Sequence, residues 1–273
     1  MKRIMAIIMA GLMLLSLAAC GAKEEPADFR RGIIEQGNVA AQLRLHNAEY
    51  HANNKQKDPD SAPQIYDNLT TALMDLKNGK INQLGCEEST AKYIQARNEG
   101  LDFQSMDDWM SYSMMTLESS EDVYNILNDS ILEMKSDGTL DALVEKELKA
   151  YFESDPEAKD LPVFENAPTI YIGVTGDIPP MDFVASNGKP AGFNVALLTE
   201  IANRAQVNFE MVQIESGARS IALSSGKVDA VFWTKSGTCS LCNETWSEEI
   251  LGTLVTESYF YDYSGMLQTQ SAK

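Results

Sequence analysis

The 273-residue sequence is poor in histidine and in basic residues, and it contains no apolar run long enough to span a membrane. Its two histidines, His46 and His51, lie in a polar stretch, so a histidine-based catalytic triad or zinc site lacks the residues it needs. Lysine and arginine number 22 against 40 acidic residues, for a net charge of −18. Such acidity argues against binding nucleic acid, or anionic lipid through the protein surface. With no acid–base pair or nucleophile constellation, the sequence predicts a protein that is not an enzyme and uses no cofactor or metal.

The longest apolar run, residues 4–19, follows Lys2 and Arg3 and ends in Leu-Ala-Ala-Cys at 17–20. It is shorter than the roughly 20 residues of a membrane span, and its flanks are typical of an export signal. Residues 1–20 resemble a bacterial lipoprotein signal, and the alternative is an ordinary signal with a coincidental Cys20. Because stable anchoring requires more than one acyl chain, a diacylated Cys20 predicts an extracytoplasmic protein anchored to the cell membrane. Residues 21–27 then form a short polar tether.

The segment 170–233 alternates between strand-length apolar runs and stretches with helical spacing. The predicted strands are 170–174, 207–214 and 228–233. This order predicts an α/β fold, in which a parallel sheet is connected by crossover helices. Ligands of such sheets bind beyond the carboxyl ends of the strands. The loops at those ends are 175–181, 215–219 and 233–238.

The same residues resemble a known family. The sequences GVTGDIPPMDF at 173–183, NGKPAGFNVALLTEIA at 187–202 and SGKVDAV at 225–231 follow one another as in the first lobe of that family. The family is that of the extracytoplasmic solute-binding proteins of amino-acid ABC importers. The resemblance implies a two-lobed, type II periplasmic-binding fold, with a mainly parallel sheet flanked by helices in each lobe. It also implies capture of a small polar ligand, an amino acid or related amine, for the importer's membrane subunits.

A short repeat fits two similar lobes, since LKNGKIN at 76–82 resembles LSSGKVD at 223–229. Relative to the family, however, the segments come in a circularly permuted order. They are a second-lobe-like segment (28–108), a hinge strand with C-terminal-type helices (109–152), a linker (153–168) and the first-lobe core (169–273). The rival interpretation is a decayed tandem gene. The permutation is expected to cut one of two hinge strands, so that the lobes are joined covalently only near 108–111. The lobes should then open loosely, unless residues 268–273 still pair beside residues 28–34.

The resemblance also assigns candidate ligand-binding residues. Glu87 falls on the acid that meets the ligand's ammonium group, and Asn38 falls in a loop that adds backbone donors for its carboxylate. The family's carboxylate-binding arginine falls on Leu241, so Arg219, or alternatively Lys235, is expected to supply the missing charge. Further candidates at the strand ends are Thr175, Asp177, Trp233, Thr234 and Ser236.

Two features of these loops leave alternatives open. Cys239 and Cys242 are separated by two residues, and in an exported protein a local disulfide is the first interpretation, before free thiols and redox catalysis. The aromatic residues that sandwich the ligand in the family fall on Ile178 and Ser216. This divergence favours a second hypothesis, a ligand-sensing or scaffold module of the same fold that has lost transport.

Overall fold

The computed structural model describes residues 30–34, 63–239, 244–247 and 250–270. The predicted export signal, the tether, Asn38 and both histidines lie outside the described residues. Among the described helices, none combines the length and apolarity that crossing a membrane requires.

Thirteen strands are present in the described part of the chain. They are β1 (Arg31–Ile34), β2 (Gln64–Tyr66), β3 (Gln83–Glu87), β4 (Leu101–Leu117), β5 (Thr169–Val174), β6 (Asp177–Ile178), β7 (Asp182–Val184), β8 (Pro190–Ala191), β9 (Asn208–Gln213), β10 (Ala230–Cys239), β11 (Glu244–Ser247), β12 (Thr253–Val255) and β13 (Phe260–Thr269). Ten form one sheet in the order β2-β1-β3-β13-β4-β10-β5-β9, with β11 beside β10 and β12 beside β4. The other three, β6, β7 and β8, form a small antiparallel sheet.

Six α-helices pack on these sheets in the described part of the chain. They are α1 (Leu69–Lys77), α2 (Glu88–Gln95), α3 (Glu121–Asp137), α4 (Thr139–Glu147), α5 (Phe193–Ala205) and α6 (Arg219–Ser224). Parallel pairing divides the architecture into two lobes. The small lobe, residues 30–34 and 63–100, contains the parallel strands β2-β1-β3. The large lobe, residues 118–259, contains the parallel strands β10-β5-β9. The predicted fold class, a two-lobed α/β protein with a mainly parallel sheet in each lobe, is confirmed.

Each lobe has its own apolar core because its helices bury one stripe of residues on the sheet. In the small lobe, Leu69, Ala72 and Leu76 recur at helical spacing on α1 and pack with Leu84 of β3. The large lobe has a bigger core, formed by α3, α5 and the strand β5. Its fully buried members include Leu127, Ile131, Met134, Ile172, Phe193, Leu197, Leu198 and Ile201.

The repeat predicted from the sequence has one structure in both lobes. Gly79 and Gly226 follow α1 and α6 with φ angles of 72° and 70°, in the left-handed region that glycine adopts without cost. The amide of Gly79 donates to the Leu76 carbonyl, and that of Gly226 donates to the Leu223 carbonyl. Each helix therefore ends at a glycine, and a parallel strand of its lobe comes next.

Two long strands, β4 and β13, cross from one lobe to the other and are called the crossing strands. β13 pairs antiparallel with the first twelve residues of β4, from Phe260 opposite Tyr112 to Thr269 opposite Leu101, with a register shift between Tyr263 and Gly265. The far half of β13 also pairs with β3 of the small lobe. The expectation that one hinge strand is cut is therefore wrong. β13 runs uninterrupted from the large lobe into the small-lobe sheet, so two strands cross between the lobes. The covalent link from residues 30–100 to the large lobe runs through β4, as expected, and β13 is attached to those residues by hydrogen bonds.

The predicted linker, residues 153–168, contains no helix or long strand, and all of it lies in the described part of the chain. It is nevertheless attached to both lobes. Asp155 accepts hydrogen bonds from the Tyr93 hydroxyl at 2.6 Å and from the Arg97 guanidinium, both on the small lobe. Lys159 forms an ion pair with Glu147 at the end of α4 in the large lobe. The linker is thus fixed across the junction of the lobes.

Candidate functional site

A cavity of about 470 Å³ lies between the two lobes, within the size range of about 300–1,000 Å³ typical of small-molecule sites. The small lobe contributes the loop after β2, and the large lobe contributes the loops after β5 and β9. Its lining residues are Asp67, Asn68, Thr175, Asp177, Gln213, Ile214, Glu215 and Ser216. The cavity therefore opens at the carboxyl ends of parallel strands, where the sequence places the ligand loops.

Hydrogen bonds within the large lobe fix the loop after β5. The carboxylate of Asp182 is buried, and it accepts hydrogen bonds from the Thr175 amide at 2.8 Å and the Thr175 hydroxyl at 3.1 Å. Gln213, at the end of β9, donates to the Thr175 carbonyl at 3.2 Å. Burial raises the pKa of Asp182, although these hydrogen bonds oppose that effect. Thr175 is thereby fixed at the cavity wall by groups from two elements of the large lobe.

Asp177 connects this loop to the small lobe. Burial raises the pKa of its carboxyl group, and the polar Thr175 side chain and the Leu69 backbone amide beside it partly offset the rise. Leu69 is the first residue of α1, and Asn68, also in the lining, caps that helix by accepting from the Thr71 amide at 2.9 Å. Asp177 is thus a large-lobe carboxylate placed at the start of a small-lobe helix.

The lining carries charge of one sign. Asp67, Asp177 and Glu215 contribute three carboxylates, and the described residues of the lining include no lysine, arginine or histidine. Carboxylates that face one cavity across a low-dielectric wall concentrate a negative potential there. This arrangement is suited to a small cation, and it provides hydrogen-bond acceptors for an ammonium group.

Glu87, the predicted partner of a ligand ammonium group, is instead bound to a lysine of this chain. The Lys235 Nζ atom lies 2.5 Å from the Glu87 Oε1 atom, and the two side chains are 4% and 9% exposed. Burial acts to raise the pKa of Glu87, but the charge and hydrogen bond of Lys235 outweigh it and hold that pKa below its usual value. Neither residue lines the cavity.

Arg219, predicted to bind a ligand carboxylate, is directed into the protein. It is buried, and its Nη1 atom donates to the carbonyl oxygens of Phe232 at 2.8 Å and Trp233 at 2.6 Å. The guanidinium group therefore stabilises the bend of β10, where Trp233 has a φ angle of 69°. Arg219 is not among the lining residues.

The three remaining candidates on β10 also lie away from the cavity. The Trp233 ring is 2% exposed and packs edge-on against the Tyr112 ring at 5.2 Å. Thr234 is buried, and its hydroxyl has no hydrogen-bond partner among the described residues. The Ser236 hydroxyl lies 2.7 Å from that of Ser111 on β4. Of the predicted ligand residues, Thr175 and Asp177 line the cavity, and their contact with a ligand stays a prediction.

Other predicted positions fall outside the described residues. They are Asn38, the lipidation site Cys20, Cys242 and the side chain of Cys239, so the predicted disulfide is not tested. Cys86 is a buried free thiol, and burial raises its pKa well above the usual value. Within the described ranges, no group of three or more histidine, cysteine, aspartate or glutamate side chains is arranged to hold a metal ion.

Sequence reasoning missed the small-lobe side of the cavity. Asp67 and Asn68 stand directly before α1, and a helix cap after a parallel strand is a signal that could have identified them. The pairing of Lys235 with Glu87 was also missed. These two residues are 148 positions apart, and no local pattern connects them.

The fold and the cavity together define a two-lobed α/β protein with a cleft between its lobes. Residues 170–239 match the family of bacterial extracellular solute-binding proteins, family 3. The resemblance inferred from the motifs is thereby confirmed for this segment, which includes the cavity loops of the large lobe. The search of curated proteins gave no match.

Three solved structures show a loose likeness in fold. The ligand-binding component of an ABC-type import system from Staphylococcus aureus, with zinc bound, has 10% identity over 89% of this chain and 66% of its own, with a TM-score of 0.46. The GluR0 ligand-binding core with L-glutamate has 12% identity over 91% and 87%, with a TM-score of 0.42. The aliphatic sulphonate-binding protein SsuA from Escherichia coli has 12% identity over 90% and 62%, with a TM-score of 0.40.

Proposed function

We propose that this protein is an extracytoplasmic solute-binding protein that captures a small amine in the cleft between its lobes. In this proposal it is anchored to the cell membrane through lipidated Cys20 and delivers the amine to the membrane subunits of an ABC importer. The observation that carries the proposal is the cavity lining, whose described residues include three carboxylates and no basic side chain. The family match of the cavity loops supports the solute-binding role.

An amine fits this lining better than an amino acid does. The carboxylate of an amino acid is bound most strongly by a cationic partner, and Arg219 and Lys235 are the two candidates for that role. Arg219 donates to backbone carbonyls, and Lys235 is paired with Glu87. The ammonium group of an amine needs acceptors alone, and Asp67, Asp177 and Glu215 provide them.

The test is thermal unfolding of the purified protein with n-butylamine, 1,4-diaminobutane, choline and a panel of amino acids. An amine at about one hundred times its Kd should stabilise the folded state by about 2.7 kcal/mol. For a chain of this length that corresponds to a Tm increase of about 5–10 °C. Asp177→Asn should abolish the shift. Glu210→Gln, which removes the same charge from an exposed site on β9, should preserve it.

The other outcomes separate the alternatives. A shift with an amino acid and none with the amines would overturn the amine assignment and keep the solute-binding role. A single cooperative transition that no compound moves would favour the second candidate, a sensing or scaffold module. That candidate is supported by Ile178 and Ser216, which stand where the family places ligand-stacking aromatics. A neighbouring importer permease gene would favour transport.

A further inference from the structure

The lobes are connected by a buried ion pair that is separate from the cavity. Lys235 lies on β10 of the large lobe, and Glu87 is the last residue of β3 in the small lobe. Their charged atoms are 2.5 Å apart, and both side chains are almost completely buried. An ammonium group of one lobe is thus inserted into an acidic site of the other.

The Lys235 ammonium group also faces an aromatic ring of the crossing strand β4. Its Nζ atom lies 5.3 Å from the centroid of the Tyr112 ring, a distance at which the ring face attracts a cation. Burial, together with the negative charges of Glu87 and Asp262, raises the pKa of Tyr112 and keeps its hydroxyl neutral. Asp262 is a second buried acid, and it accepts from the Ser89 amide at the start of α2.

We infer that Lys235 and Glu87 form an internal latch, in which a cation belonging to the protein holds the two lobes closed without a bound ligand. The inference does not depend on the proposed function, because neither residue lines the cavity.

The physical reason is an asymmetry in the energetics of buried charges. A buried ion pair contributes little net stability compared with apolar residues, but a buried charge without its partner is strongly unfavourable. When the lobes separate, water can hydrate both Lys235 and Glu87. Closure, in contrast, is tolerated only when both charges are present or both are absent. The pair therefore specifies one arrangement of the lobes.

The first test is a double-mutant cycle with Lys235→Met, Glu87→Gln and the double variant, followed by small-angle X-ray scattering without ligand. Each single variant should shift the ratio of closed to open molecules at least about a hundredfold toward open, which increases the radius of gyration. The double variant should recover most of the wild-type compactness. Lys189→Met removes a lysine whose partner, Asp160, is exposed in the same lobe, and it should change nothing. Wild-type compactness in both single variants, or equal loss in the double variant, would overturn the latch.

The second test covers variants that fold poorly. Lys235→Ala removes three methylenes and the ammonium group, which n-propylammonium can replace. All variants of this test carry Asp177→Asn, so that an amine bound in the cleft does not contribute. In that background, propylammonium should restore the Tm and compactness of Lys235→Ala in a concentration-dependent way, whereas 1-propanol should not. The rescue should disappear in Lys235→Ala/Glu87→Gln. An absence of rescue, or equal rescue in that double variant, would contradict an ammonium site at this position.

Discussion

The two lobes contain the same local unit, a helix closed by a left-handed glycine and followed by a parallel strand, but the two strands end differently. In the small lobe the strand after Gly79 stops at Glu87, where the chain turns into α2. In the large lobe the strand after Gly226 bends at Trp233 and continues to Cys239, paired with β4 and β11.

This difference shows that the same local unit can be followed by strands that take different courses in the two lobes. The glycine that ends the helix depends only on local structure, and its φ angle and hydrogen bond are closely similar in the two lobes. The course of the strand beyond the glycine depends on the neighbouring strands. Glu87 is the eighth residue after its glycine and Lys235 the ninth, so two similar strands place opposite charges at the junction of the lobes.

The largest expected effect is a loss of free energy of unfolding in core variants of each lobe, and these variants test whether the lobes unfold together. Leu84→Ala in the small lobe and Ile172→Ala in the large lobe each truncate a fully buried side chain. Each should lower the free energy of unfolding by about 2–5 kcal/mol because a cavity remains in a packed core. Urea unfolding followed by circular dichroism and tryptophan fluorescence should show one shared transition. If Leu84→Ala produced an early, separate transition, the lobes would be independent units.

The next prediction concerns the buried acid of the crossing strand β13. Burial raises the pKa of Asp262 from 3.8 to about 6, and the effect opposes folding once the carboxyl group is ionised. Its contribution to stability is therefore present below pH 4 and is lost as the pH rises through 6. Asp262→Asn keeps an acceptor for the Ser89 amide but loses the oxygen that accepts from the Tyr263 amide. It should still raise the free energy of unfolding at pH 7, by less than about 3 kcal/mol.

The corresponding measurement is urea unfolding at pH 4, 5, 6 and 7. The wild-type protein should lose more stability between pH 4 and 6 than Asp262→Asn does. Asp102→Asn, an exposed acid on the paired crossing strand, is the control and should leave the pH dependence unchanged. Equal slopes in wild type and Asp262→Asn would show that Asp262 is not the titrating group.

A smaller effect tests the equivalence of the two repeats. Apart from the residues adjacent in the chain, no atom of the described residues lies within 4 Å of a Cβ added at Gly79 or at Gly226, so the left-handed backbone sets the cost of alanine. Gly79→Ala and Gly226→Ala should each lower the free energy of unfolding by about 1–2 kcal/mol. Values that differ by much more than the error of chemical unfolding would show that the repeats are not equivalent.

The smallest effect concerns the linker. Asp155 accepts from Tyr93 and Arg97 of the small lobe, but its side chain is 66% exposed. Asp155→Asn should cost less than about 1 kcal/mol, as is usual for exposed ion pairs. Hydrogen exchange should nevertheless accelerate in α2. Asp160→Asn, which breaks an exposed pair within the large lobe, should leave α2 unchanged, and equal acceleration in both would exclude an attachment specific to Asp155.

Much of the fold is readable from sequence because its signals are local. Strand-length apolar runs predicted β5, β9 and the start of β10, and the short repeat predicted a similar unit in each lobe. The prediction of a cut hinge strand was wrong because the partner of residues 260–269 cannot be read from local pattern. In the structure that segment pairs with β4 and β3, which lie more than 140 positions earlier.

Some residues of the candidate site could likewise be predicted from local pattern, and others could not. Thr175 and Asp177 were found because parallel strands place their loops at one edge, a rule that needs strand order alone. The surroundings of Arg219 and Lys235 could not be predicted. Each has a long side chain that can reach several partners, and the bend at Trp233 decides which of them it meets.

The sequence by itself determined the two-lobed α/β class, the acidic character, the helix stops and the large-lobe loops that line the cleft. Each of these depends on composition or on spacing between near neighbours. Tertiary structure alone decided that β13 completes a second crossing, that the described cleft lining lacks a basic residue, and that Lys235 neutralises Glu87. These features depend on contacts between residues far apart in the chain, where packing and burial select one partner among many.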